Sequence, residues 1–569
     1  MSKTTRLFIS MVFSMILLVM LWLVVQTESL AQPCSDHITV TSTADSGPGT
    51  LRQALNDVCT GGTIDFAPAL ANQVVTLTSG ELMITQTVTL ENPNAPNLKL
   101  NGNDAQRIFH LQSGAVVTMS NLSLISGTIT SGSLFYDGGG GIRVGFGTTL
   151  TVLDSHFTDN TGVSGGAIQC FGTLKVYRSV FNGNVALTDG GGAIYSEGSL
   201  IVEDSSFSGN SGQYSGYGGG GGIYNDGSAT ITNSHFYSNT SSYSGGGGGI
   251  VNWSGLTVNN SEFKGNSASL DGGGIRNHGT ATINASTFIS NAAISPVGGG
   301  GGGITNEGVL IMTDSFVTDN LARVGGGIDN SGELVITNTT ISFNSATVEG
   351  GGIHNQGSSA NIDSTTINGN SAPKGGGIAT YIALSLTNST LSGNSSSSSG
   401  GGIYTGGVTD LNHVTITGNS AMGYGGGINN FMTVNLRNSI LAGNMAPSSP
   451  DCFVTINSQG YNLIQNTEDC TINGDLTGNV VGVSPNLGAL ADNGGDTLTH
   501  ALLDGSPAID KGSCGETTVD QRGFDRPVDE VTIPNADDGC DIGAFEFGAV
   551  SNEPPESSEL SIYVPLILK

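Results

Sequence analysis

From residue 139 to 444 the chain repeats one alternation of apolar and polar positions twelve times. Each copy opens with a glycine run closed by isoleucine, passes through a short alternating stretch, and ends on an apolar residue followed three positions later by asparagine. The copy GGGGGIYNDGSATITNSHFYSN has Ile223, Phe236 and Asn239 as its fixed points. The closing isoleucines are Ile142, Ile168, Ile194, Ile223, Ile250, Ile275, Ile304, Ile328, Ile353, Ile378, Ile403 and Ile428, spaced 24 to 29 residues apart. The asparagines keep step at Asn160, Asn184, Asn210, Asn239, Asn266, Asn291, Asn320, Asn344, Asn370, Asn394, Asn419 and Asn444. A fixed period of this length means one structural unit stacked many times. Three to five residues of period-two alternation between tight turns read as strands and leave no room for crossover helices. The pattern therefore predicts an all-β fold, a single-stranded right-handed parallel β-helix with a short N-terminal capping helix and an irregular C-terminal cap.

Position in the coil assigns roles. The isoleucine and the apolar residue before each asparagine occupy the core. The asparagines are expected to hydrogen-bond their counterparts in neighbouring coils as a ladder, and to occupy the left-handed backbone region at the turn. A second column falls two residues after isoleucine, at Asn225, Asn252, Asn277, Asn306, Asn330 and Asn355. The glycine runs precede strands and never form GxxxxGK[ST], so they serve sharp turns and close packing rather than phosphate binding.

The remaining chain divides around this block. Residues 1–31 read as a signal peptide: Lys3 and Arg6 are followed by the apolar run Leu7 to Val25 and a small-residue site at Ser29-Leu30-Ala31. That run is also long enough for a retained anchor. Residues 32–138 hold an N-terminal cap, with Leu51, Ala54, Leu55 and Val58 on one helical face and Thr50 and Gln53 at capping-box spacing, then degenerate coils. Residues 445–547 lose the glycine runs and form C-terminal coils and a cap, and 548–569 are a linker and an apolar tail. An exported chain oxidises its cysteines, and proximity pairs Cys34 with Cys59, Cys452 with Cys470 and Cys514 with Cys540, leaving Cys170 in a core position. No CxxC supports a metal site, and neither a metal nor a cofactor is expected.

Composition narrows the function class. Collagen is excluded because the 89 glycines have no G-X-Y period and prolines number only 16. A net charge of −29 argues against nucleic acid as a partner.

The GG[A/G]I and FxxN elements resemble the repeat of chlamydial-type polymorphic outer membrane proteins, most plainly in Gly165-Gly166-Ala167-Ile168 with Phe181 to Asn184, and in Gly191 to Ile194 with Phe207 to Asn210. The resemblance covers about half the chain and implies a β-helical passenger acting in adhesion at the cell surface or envelope. That family's plan continues into an outer-membrane barrel, and no series of roughly ten-residue alternating strands follows residue 445. ADSGPGTLRQAL resembles the CSLREA-type segment that precedes secreted bacterial β-helices. SPNLGALADNGG, HALLDGSPAIDKG, DQRGFDRP and CDIGAFEF resemble choice-of-anchor regions, which implies a cap and sorting context rather than an activity.

Chemistry concentrates in one stripe. Residues one and three after each isoleucine are expected to point outward, giving Tyr195 and Glu197, Tyr224 and Asp226, Val251 and Trp253, Arg276 and His278, Thr305 and Glu307, Asp329 and Ser331, then His354 and Gln356. Tyr195, Tyr224, Trp253, Arg276, His278, Glu307, Asp329 and His354 form a candidate face for a glycan, a host or neighbouring cell surface, or an envelope component. The plainer reading is a solvated face of routine alternation. No catalytic residue is assigned. Polysaccharide lyases and glycoside hydrolases of the β-helix class are the competing expectation. Their signature would be an Asp cluster with a Lys or Arg in phase on neighbouring coils, and no such cluster is read from the sequence.

Overall fold

The computed structural model describes Met15 and residues 34–112, 114–130, 138–188, 190–213, 219–242, 246–295 and 298–551. The expected leader (Met15 apart) and the apolar end of the tail lie outside the described residues. From residue 34 on, the described residues form a right-handed parallel β-helix of about sixteen turns with one short α-helix. In a representative coil the strands are Ile223–Asn225, Ser228–Thr232 and His235–Tyr237. Each pairs in parallel and in register with its counterpart one turn later, Ile223 against Ile250, Ile231 against Val258 and Phe236 against Phe263.

Eleven coils carry a fourth strand that the three-part reading missed. It is two residues long in most coils, as in Thr240–Ser241, and directly follows the asparagine. Its second residue is always small, from Gly162 and Ala186 through Ser241 to Ala421, because its side chain faces the backbone of the glycine run. At Ser241, Cβ packing is tight enough that a Cβ on Gly246 would sit 1.7 Å from its Oγ.

The interior is stacked by residue type. Phe157, Phe181, Phe207, Phe236, Phe263 and Phe288 form one column, with ring centroids 4.7–4.8 Å apart and planes within 7° of parallel. The asparagines hydrogen-bond from coil to coil. Asn239 Nδ2 donates to Asn266 Oδ1 at 2.9 Å and to Phe207 O at 2.9 Å, and its backbone N–H donates to the same Asn266 Oδ1 at 3.0 Å. The equivalent side-chain bond runs from Asn160 to Asn444. The asparagines themselves are not the left-handed residues. The positive φ falls one position earlier, at Asp159, Ser238 and Asp319 among others, and glycine takes that place in seven of the twelve coils. A buried side chain with both amide groups engaged has to be extended into the interior, so the bend is displaced onto its neighbour. A serine column five residues before the asparagines, Ser155, Ser179, Ser205 and Ser234 among them, also links coils, each hydroxyl oxygen accepting from the backbone N–H of its counterpart one coil earlier.

Both ends are stapled. At the N-terminus, helix Leu51–Asp57 buries Leu51, Ala54 and Leu55, and the Thr50 side chain accepts from Gln53 N. Disulfides join Cys34–Cys59, Cys452–Cys470 and Cys514–Cys540, while Cys170 is a buried free thiol. The stack is continuous across residue 138, since Ile142 pairs with Phe109 and Leu150 with Val117. After the last coil strands, Cys470–Asp475 and Val480–Val481, the chain turns back along the flank of the rod. Thr497 Oγ1 donates to Ser364 O, Thr390 Oγ1 to Gln521 Oε1, Ala544 N to Thr415 Oγ1 and Ser513 N to Asn438 Oδ1. This flank explains why Thr366, Thr390 and Thr415 are buried although they face away from the core.

Candidate binding face

The strands that begin with isoleucine line one side of the rod, and their second residues form the column Arg276, Thr305, Asp329, His354, Ala379, Tyr404, Asn429 and Phe453. Side-chain alternation turns these residues away from the core, as expected. They are nevertheless not a solvated stripe. Tyr195, Tyr224, Val251, Thr305, Asp329 and His354 are all at most 9% exposed. The glycine runs cover them: Thr305 Oγ1 donates to Gly300 O at 2.7 Å, and a Cβ on Gly300 would lie 1.9 Å from Asp329 Oδ2. The runs are glycine because their backbone lies directly against the stripe and against the strand each run leads into. A Cβ on Gly191, for example, would meet Ile194 O at 1.8 Å.

Under this cover the stripe divides into three groups. Toward the N-terminus, Phe171, Tyr195, Tyr224 and Val251 form a separate apolar cluster against which Trp253 packs. Tyr195 stacks on Tyr224 at 5.1 Å and donates to Glu197 Oε1 at 2.6 Å; burial and that acid push the Tyr195 hydroxyl well above its ordinary value.

In the middle, Trp253 stacks on His278 with centroids 3.8 Å apart. His278 Nδ1 lies 2.9 Å from Glu307 Oε2, and Arg276 reaches Glu307 Oε1 at 2.6 Å and Asp271 at 3.4 Å. Burial works to raise the Glu307 carboxyl, but the His278 hydrogen bond and the Arg276 charge outweigh it and bring it down to about 2. Asp271 goes the other way, raised by burial that Arg276 offsets only in part.

Further on, His354 Nδ1 is 2.7 Å from Asp329 Oδ1 and its Nε2 is 3.7 Å from Glu349. Glu349 accepts from the Tyr381 hydroxyl at 2.6 Å, and burial followed by that hydrogen bond raises the Tyr381 phenol. The structure thus brings Arg276, His278 and Glu307 into one group and Asp329 and His354 into another. Asp271, Glu349 and Tyr381 were missed. Asp271 and Glu349 stand immediately before glycine runs, where a side chain folds back onto the stripe, and Tyr381 is the third residue after its isoleucine, past the end of the expected stripe.

Chemically this arrangement offers internally paired charges rather than a reactive centre open to solvent. Among the described residues, the His, Cys and acid grouping tight enough for a metal is Cys514, Asp538 and Cys540, whose two sulfurs are joined in a disulfide. No described helix is long and apolar enough to cross a membrane.

The repeat of the Chlamydia polymorphic membrane protein family matches residues 178–197 and 388–406. No curated protein matches the chain. Among solved structures, tailspike protein 3 of bacteriophage CBA120 is similar at 11% identity and a TM-score of 0.30, over 78% of this chain and 61% of the tailspike. An alginate lyase in complex with G6 is similar at 15% identity and 0.29, over 85% and 95% of the two chains. A pectate lyase follows at 14% identity and 0.24, over 91% and 97%. The first matched repeat segment runs through the αL bend at Arg178, the Phe181 to Asn184 turn and the glycine run into Tyr195, so it contains the features that build the coil. The chain is a parallel β-helix in which residues 178–197 and 388–406 match the polymorphic membrane protein repeat.

Proposed function

We propose that the protein is exported and displayed at the cell surface, where it acts as a non-enzymatic rod that binds through the face formed by its isoleucine strands. The repeat family's name and the basic-then-apolar leader support the location. The observation that carries the binding reading is that the charged groups of the stripe are spent on one another. Arg276 bridges Asp271 and Glu307, His278 holds Glu307, and His354 sits between Asp329 and Glu349 at 3% exposure. A general acid or base has to reach the proton it moves, whereas the part of the face that is not covered, Trp253, Arg276, His278 and Glu307, is held rigid by these pairs, as a binding surface requires. The partner is a host or neighbouring cell surface, a glycan or an envelope component. The net charge of −29 disfavours a polyanion.

Fractionation with N-terminal sequencing tests the location, and cell binding by the Trp253→Ala, Arg276→Ala double variant tests the face. Surface exposure with binding reduced at least tenfold supports the reading. Retention of the protein inside the cell, or unchanged binding, overturns the corresponding half.

A lyase or hydrolase is the second reading, favoured by one observation. Asp329, His354, Glu349 and Tyr381 form a hydrogen-bonded and ionic chain across neighbouring coils, with a histidine between two carboxylates beside a phenol. Polysaccharide cleavage abolished by His354→Asn would establish it.

A further inference from the structure

The face does not stop at His354. Beyond it the glycine runs still cover Ala379 and Asn429, but the same two positions also carry aromatic rings that reach solvent. Tyr381 and Phe431 occupy the third position after Ile378 and Ile428, and Tyr404 and Phe453 the first position after Ile403 and in register with Asn429. Tyr381 is 39% exposed and Phe431 60%, against at most 9% for the covered residues of the expected stripe. Ring centroids step along the rod at 6.1 Å from Tyr381 to Tyr404 and 5.6 Å from Tyr404 to Phe431. Polar groups border the rings. Lys374 Nζ lies 5.4 Å from the centre of the Tyr404 ring, and Glu349 holds the Tyr381 hydroxyl. Asn429 stands in the column between Tyr404 and Phe453, 1% exposed, and its Oδ1 has no hydrogen-bond partner.

We propose that this open aromatic column, Tyr381–Tyr404–Phe431, binds an extended neutral glycan laid along the rod axis. The proposal rests on the binding reading above and moves the contact surface toward the C-terminus. Pyranose rings present flat C–H faces that stack on aromatic side chains and hydroxyl edges that hydrogen-bond to polar neighbours, and aromatic residues with polar rims supply both. The rings alternate between the third and first positions of successive coils, with planes 60–65° apart, so they offer faces and edges in turn along the rod axis. A globular partner buries a compact patch with its anchors near the centre instead. Net charge selects against polyanionic chains.

The test uses the full chain and linear hexasaccharides of β-1,4-glucose, β-1,4-N-acetylglucosamine, β-1,4-mannose and polygalacturonate, titrated calorimetrically. The expected result is saturable binding of at least one neutral hexasaccharide and none of polygalacturonate. Affinity should fall at least tenfold in Phe431→Ala and in Tyr404→Ala, each checked for an unchanged thermal midpoint. Phe431 is exposed, so its truncation leaves the coil core intact and keeps the test valid if Tyr404→Ala unfolds. The inference is overturned by no neutral hexasaccharide binding, by binding that both variants retain, or by Phe431→Ala abolishing capture of a protein partner while glycan binding is absent. Cell binding lost in the Trp253→Ala, Arg276→Ala variant but retained in Phe431→Ala would sink this column while leaving the binding-rod reading in place.

Discussion

Removing one rung of the asparagine ladder is the sharpest test of how the rod is held together. Asn291 is fully buried and joins three coils. Its Oδ1 accepts from Asn266 N at 3.0 Å and from Asn266 Nδ2 at 2.9 Å, while its Nδ2 donates to Phe263 O at 2.9 Å and to Asn320 Oδ1 at 3.0 Å. Asn291→Ala deletes four hydrogen bonds worth about 1 kcal/mol each and strands the buried Asn266 N–H, which adds about 1–3 kcal/mol. The expected loss is about 5–7 kcal/mol, beyond the usual range for point substitutions. Since each coil contacts only its neighbours, the damage should centre on coils near residue 291. Urea unfolding gives the magnitude, and hydrogen exchange read by peptide mass gives the location. Asn182→Ser is the control: Asn182 is exposed, accepts only from Ser208 Oγ, and should change stability by less than about 0.5 kcal/mol. An Asn291→Ala loss no larger than the control, or faster exchange spread evenly along the rod, would refute this reasoning.

Phe236→Ala opens the aromatic stack between Phe207 and Phe263 and should destabilise by about 3–5 kcal/mol in the same urea assay; a loss under 1 kcal/mol would mean the stack is not structural. His354→Ala leaves the buried Asp329 without its partner and should lower stability by about 3–5 kcal/mol. His354→Ala, Asp329→Asn should recover part of that loss, and no recovery would refute the pairing. The flank segment should lose stability between about pH 6.5 and 8. Burial and the neighbouring Glu546 raise Asp541 to about 8, so the folded chain keeps a proton that the unfolded chain has lost, and this contribution falls from the ordinary carboxyl range until pH reaches about 8. Burial beside Arg526 holds His413 well below 6.5, so the unfolded chain gains a proton first and this contribution falls as pH drops below 6.5, opposing the effect of Asp541 there. Urea midpoints should be level from about pH 5 to 6.5 and fall from 6.5 to 8, with Asp541→Asn removing that fall; a midpoint that rises from pH 7 to 9 contradicts the assignment.

Much of this architecture was legible because the repeat forces it. Ile223, Phe236 and Asn239 recur at fixed phase, and in a parallel stack fixed phase means direct contact between counterparts one turn apart. The features that escaped depend on neighbours rather than on local pattern. The strand Thr240–Ser241 is too short to show alternation, although the small residue two after every asparagine marks it. The bend was assigned to Asn239 rather than to Ser238 because asparagine suits both roles, and hydrogen bonds made across coils decide between them. The exposure of Tyr195 and His354 was misjudged because the glycine runs look like turns in sequence and act as a cover in space. The flank contacts were equally hidden: Thr366 and Thr390 alternate as solvent-facing residues do, and are buried only because residues 497–521 return to them.

The central claim, that this rod binds without reacting, is tested most directly by following the fate of the bound ligand. Hexasaccharides and longer polysaccharides would be incubated with the intact protein, with and without calcium, while reducing ends and unsaturated products are measured beside calorimetric binding. The account predicts bound chains recovered at full length with no new ends. Products that accumulate with time and vanish in His354→Asn would contradict it and place catalysis on the Asp329–His354–Glu349 group.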